Sequence, residues 1–207
     1  MQRISAEIEK NPEEVAFKKM RIRLYEASGD MDKAIAAAEK AMQMTKSNEV
    51  ASFLELKNIK ADLYFKIGEY EAAERLAQEV ISQNPLSVEA RFIIAKAKIQ
   101  AGDALTAISS LRQLAFENPD KAHYQHYLGL AHRIRSEFSQ SEEAFSKALD
   151  IAPDYKDALM KLAEISTSKG SHDLLQTKIK KYLKMKPDDK DILTLLESVS
   201  EKKDPSL

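Results

Sequence analysis

The chain has 207 residues, 43% of them apolar and 31% charged, with 33 acidic against 32 basic side chains and a net charge of -1. That balance excludes a disordered chain, and it excludes a global field drawing the protein to nucleic acid or anionic lipid. No cysteine is present, so disulfides, thiol catalysis and cysteine-held metals are excluded as well.

From the N-terminus, Ile4, Ala6 and Ile8 ahead of Asn11-Pro12 read as the tail of a helix closed by a proline. The first ten residues carry Arg3, Glu7, Glu9 and Lys10 and lack the apolar core of a signal peptide. Beyond them the breakers keep time. Pro85, Pro119, Pro153 and Pro187 recur every 34 residues; Gly68 and Gly102 are also 34 apart, with Gly170 a further 68 on. A proline cannot extend a helix, and a glycine suits the turn between antiparallel helices, so one breaker at each end of a hairpin predicts helix, turn, helix, turn. Apolar stripes at helical spacing fill the intervals. In Val88–Gln100 they are Ile93, Ile94, Ala97 and Ile99; in 104–116 they are Leu105, Ile108, Leu111, Leu114 and Ala115. Helix-start residues follow the breakers: Ser87, Asp120, Asp154 and Asp188 after the prolines, and Asp30, Asp103 and Ser171 at the other turns. No stretch sustains strand-like alternation, which predicts an all-α fold. The longest strongly apolar run, Phe92-Ile93-Ile94-Ala95, is too short to span a membrane, and this stretch of chain reads as soluble.

A 34-residue helix-turn-helix closed by proline, with small residues at fixed places, resembles the tetratricopeptide repeat (TPR). Units beginning at Val15, Leu54, Val88, Ala122 and Lys156 put the family's first-helix small residue on Ala61, Ala95, Gly129 and Ala163. Its second-helix small residue falls on Ala34, Ala73, Ala107 and Ser141, its aromatic on Tyr25 and Tyr64, and its bulky second-helix residue on Leu111, Phe145 and Ile179. The resemblance implies a right-handed α-solenoid as a single array. It comprises the end of a preceding repeat (1–14), a repeat with an insertion (15–53), repeats at 54–87, 88–121, 122–155 and 156–188, and a capping helix with tail (189–207). Ile192, Leu195, Leu196 and Val199 form the one apolar face of that cap. Departures are Ile22 and Leu175 and Tyr182 at small positions, Ser136 in place of a glycine, and five extra residues before Leu54, which lengthen one or both helices around 42–53.

Catalysis finds little support. The glycines are spent on turns and, at Gly129, on packing, which leaves no phosphate-cradling loop, and no nucleophile elbow or metalloprotease motif is present. His123 and His126 would share a helix face but lack a third ligand, and His132 stands where other repeats carry a packing aromatic, so no metal site is expected. No cofactor is implied. Lys178, Lys180, Lys181, Lys184 and Lys186 read as a solvated helix face, and no nucleic-acid partner is expected.

Members of this family line a concave groove with their first helices, and the resemblance carries those positions onto Lys19 and Arg23; Asn58, Asp62 and Phe65; Phe92, Lys96 and Ile99; His123, His126 and Arg133; and Met160 and Glu164. Phenylalanines beside lysine and arginine suit a protein or peptide ligand, its apolar anchors on Phe65 and Phe92 and its acids near Lys96 and Arg133. Phe65 and Phe92 either face the groove or tuck into the core. The residues by which the family clamps the C-terminal carboxylate of chaperones are not present in sequence: starting from the first unit those places hold Lys19, Arg23, Ile59, Glu89 and Ile93. The expected function is a non-catalytic interaction scaffold. The alternative is an assembly module of a larger TPR protein, self-associating through an open N-terminal edge at Ile4 and Ile8. The compartment stays open between the cytoplasm and, given an upstream signal, export.

Overall fold

A computed structural model describes residues 15–169 and 172–201. The N-terminal half hairpin with Ile4, Ala6 and Ile8, the turn residues Gly170 and Ser171, and the tail 202–207 lie outside the described residues. Those described form eleven α-helices and no strand. They are α1 (Val15–Ala27), α2 (Met31–Gln43), α3 (Val50–Lys66), α4 (Tyr70–Gln83), α5 (Val88–Gln100), α6 (Ala104–Glu117), α7 (Ala122–Ile134), α8 (Phe138–Ile151), α9 (Lys156–Lys169), α10 (His172–Met185) and α11 (Lys190–Glu201). The chain divides into two compact units, Met1–Ala101 and Gly102–Leu207. Within each unit consecutive helices pack on one another, the arrangement of an α-solenoid. No described helix is long and apolar enough to cross a membrane.

The turns follow from backbone chemistry. Gly29 and Gly68 hold positive φ angles of 78° and 87° at the ends of α1 and α3. There the Gly68 N–H donates to the Phe65 carbonyl and the Glu69 N–H to the Tyr64 carbonyl, closing the helix with a left-handed residue. Ser136, where other repeats carry glycine, makes the same turn at φ 59°: its N–H donates to Arg133 and that of Glu137 to His132. Three of the expected caps form. Asp30, Ser87 and Asp103 accept from the backbone N–H of Lys33, Ala90 and Thr106. Two are displaced by a residue: Lys121 rather than Asp120 occupies the cap of α7, and Asp189 rather than Asp188 accepts from Ile192. The extra residues before Leu54 go into α3, which at 17 residues starts early, while α2 keeps 13.

In the first unit, Ile22, Ala34, Ala38, Ala41, Leu56 and Leu63 form one buried cluster, and Leu54, Ala61, Ala73, Ala77, Val80, Ala90 and Ile93 the next. The alanines let helix backbones approach, and the branched side chains fill the grooves between. In the second unit Phe145, Leu149, Leu159, Leu162, Leu175 and Ile179 share one core with Ile192 and Val199 of α11, which thereby covers its end. Leu175 and Tyr182, bulky where other repeats are small, are both buried, and the Tyr182 hydroxyl donates to Asp189 at 2.7 Å. Gly129 is also buried: a Cβ there would lie 2.7–2.8 Å from three ring carbons of Phe145. The Ser141 hydroxyl, fully buried opposite, donates to the Gly129 carbonyl at 2.7 Å.

Candidate partner-binding face

In the first unit the candidate residues stand on α1, α3 and α5. Successive first helices are joined by ion pairs, Lys19 to Glu55 at 2.7 Å and Glu26 to Lys66 at 2.5 Å between α1 and α3. Asp62 of α3 takes both Lys66 and, from α5, Lys96 at 2.5 Å. Burial works to raise the Asp62 pKa, but the two ammonium groups outweigh it and hold the carboxyl below its usual value. Lys96 is only 5% exposed, and its ammonium sits 4.4 Å from the ring centre of Phe65 and 5.0 Å from that of Phe92. Burial pulls its pKa down, and Asp62 restores part of the loss. Both phenylalanines are half-buried: Phe65 packs on the core and against Tyr70 while its ring also flanks the cation.

Asn58 is buried and donates to the Ser87 hydroxyl at 3.1 Å, tying α3 to the cap of α5. Its Oδ1 has no hydrogen-bond partner among the described residues. Ile99 is buried as well. Arg23 is exposed and carries no ion pair among the described residues. Of the first-unit candidates, the rings of Phe65 and Phe92 are half-buried and the guanidinium of Arg23 is exposed. Lys96 is committed to Asp62, and the acid expected from a partner has a substitute within the chain.

The second unit repeats the pattern. Arg133 of α7 pairs with Glu164 of α9, which also takes Lys161 at 2.5 Å. Met160 is exposed. His123 is half-buried, its ring edge-on to Tyr124 at 4.1 Å. His126 is buried, 5.0 Å from the ring of Tyr155, 5.4 Å from Tyr127 and 5.5 Å from Phe145. Burial drops its pKa to about 4, so at neutral pH the imidazole carries no charge. Among the described residues no group of histidines and carboxylates is placed to hold a metal ion.

The lysine run divides by role. Lys178 is buried, pairing with Asp150 at 2.7 Å and donating to the Ser146 carbonyl, so it joins α10 to α8. Lys180, Lys184 and Lys186 remain exposed. Glu26, Glu55 and Lys66, with Tyr155 just ahead of α9 and Asp157 in its first turn, escaped the sequence reading. One signal for such pairs was there. Asp62 and Lys96 are opposite charges 34 residues apart, one repeat period, which places them on adjacent helices.

Two family models described as tetratricopeptide repeat match residues 64–130 and 23–48. Among solved structures, a thermophilic TPR protein of Thermus thermophilus superposes with a TM-score of 0.69 at 21% identity, over 88% of this chain and 96% of that one. A chain of the APC/C hetero-tetramer Cut9–Hcn1 gives 0.76 at 16%, covering 96% of this chain and 38% of that chain. YrrB, a TPR protein with an unusual peptide-binding site, gives 0.55 at 13%, covering 94% and 97%. At these identities the likeness is one of fold. No curated protein matches the chain.

Proposed function

Because the chain is a tetratricopeptide-repeat protein, we propose that it is a non-catalytic scaffold whose first-helix faces hold a segment of a partner protein. The observation that carries this reading is the pair of half-buried rings, Phe65 and Phe92, with centres 4.4 and 5.0 Å from the ammonium of a lysine already neutralised by Asp62. A surface of aromatic rings held in place before binding spends little entropy when a partner arrives, and it supplies the apolar anchors that dominate binding energy. The fold likeness to YrrB, which has a peptide-binding site, supports the same reading. Asp62 holds the lysine beside these rings, and Asn58 and Ile99 lie buried on the same two helices. In the second unit His123, His126 and Arg133 form the corresponding face.

The test is a pulldown from the source organism with the wild-type chain and two variants, with circular dichroism on each. Phe92→Ala keeps its helicity and weakens the captured partner by about 2 kcal/mol or more, the range of a hot spot. Lys184→Ala leaves capture unchanged. Loss with Lys184→Ala and retention with Phe92→Ala would move the site to the exposed lysines of α10 and end the proposal.

A further inference from the structure

In the second unit, α6 turns apolar side chains to solvent. Its core side is made by Ala107, Ile108, Leu111 and Leu114. On the other side Leu105, Ser109, Arg112 and Phe116 are all exposed, Leu105 by 63% and Phe116 by 88%. Their spacing of four, three and four residues covers three helical turns, so the four fall on one line about 16 Å long. One or two repeat periods away, the positions of Leu105 and Phe116 are polar: Glu71 and Ser82 in α4, Ser139 and Asp150 in α8, Asp173 and Lys184 in α10. Stacking of the repeats therefore does not call for apolar side chains at these places. The charge on the line is uncommitted as well, since Arg112 forms no ion pair among the described residues.

We propose that α6 presents this line to a helix of a partner protein, which lays apolar residues over Leu105 and Phe116 and a carboxylate on Arg112. The surface lies on a second helix and is additional to the first-helix face that carries Phe65 and Phe92. A spacing of four, three and four is that of a helix–helix seam, where side chains of one helix enter the gaps of the other, and a lone polar group in such a seam fixes the register. The long stem of Arg112 contributes apolar area between the two anchors, and its planar guanidinium takes a carboxylate through two parallel N–H bonds. A second copy of this chain fits poorly. With Leu105 laid on Phe116 of the copy in a two-fold antiparallel pair, the two Arg112 residues stand about 4.5 Å apart along the axis, and neither line carries an acid to separate them. The occupant is thus a different helix that brings the acid itself.

The test is a displayed library of helical peptides with one face randomised, selected on the full chain after depletion on the double variant Leu105→Glu/Phe116→Ser. That variant installs the residues α4 carries at these places, and circular dichroism checks that its helicity is kept. The winners carry an aspartate or glutamate between two apolar residues, and they bind the double variant about tenfold or more weakly than the wild type. Arg112→Glu weakens them by a similar factor, and exchanging the peptide's acid for lysine restores binding to that variant. A depleted library that yields no binder, winners without the acid, or winners indifferent to Arg112→Glu overturn the proposal. Sedimentation of the chain alone tests the second copy: a wild type that dimerises while the double variant stays monomeric assigns the line to self-association and overturns it too.

Discussion

Gly129→Ala adds one methyl group where α7 meets α8. The new Cβ would stand 2.7 Å from Cε1 and 2.8 Å from Cδ1 and Cζ of Phe145. Carbon atoms rest at about 3.5–4.0 Å, so the ring must retreat by roughly 1 Å. It has nowhere to go, because Phe145 is fully buried in the cluster that includes Ala148, Leu149 and Leu159. Overpacking of this kind costs about 1–3 kcal/mol. Alanine gives back about 1 kcal/mol, because glycine is the poorer helix former. With no room for the ring to retreat, the overpacking falls in the upper half of that range, and the net expectation is a loss of about 1–2 kcal/mol, seen as a fall of roughly 2–8 °C in Tm for a chain of this length. Urea and thermal unfolding followed by circular dichroism measure it. On the alanine background Phe145→Leu should cost less than it does in the wild type, since it removes the atoms in the way. A Gly129→Ala protein as stable as the wild type, or more so, would mean that the helices are not held at this distance and that the small position is a matter of propensity.

Two further expectations concern stability. Ser136→Gly relieves a left-handed backbone angle that costs an ordinary residue about 1 kcal/mol, partly offset by glycine's greater freedom when unfolded, so the urea midpoint should rise; a fall would show that the hydroxyl contributes more than the backbone loses. His126 has a folded pKa of about 4 against an ordinary 6.5, so folding favours the neutral ring, and its contribution is complete above pH 6.5 and lost as the pH falls toward 4. The loss amounts to about 3 kcal/mol, and the stability difference between wild type and His126→Gln should shrink by that amount across this window; parallel curves would refute the burial argument.

The helices were legible because proline and glycine act on their own backbone, so a period of 34 in Pro85, Pro119, Pro153 and Pro187 translates directly into turns. Caps were legible only to within a residue. A side-chain oxygen one place early, as at Asp120, looks the same in sequence as one that bonds. The face was harder. A lysine at a groove position reads as a charge offered to a partner, yet the long stem of Lys96 lets its ammonium fold back over Phe65 to reach Asp62. Periodicity assigns a residue to a side of its helix and says nothing about what the next helix brings to meet it. The same limit hid the enclosure of His126, whose wall includes Tyr155 from the turn before α9.

The placement of Lys96 beside both rings bears on how this surface can be mapped. Truncating Lys96 to alanine would leave Asp62 with one cation fewer and would withdraw the ammonium that both rings adjoin, loosening both. Partner affinity would then drop although the partner never touched the lysine. A scan reading each loss as a contact would draw the footprint around a residue that is hidden from the partner, and only variants at the rings themselves separate support from touch.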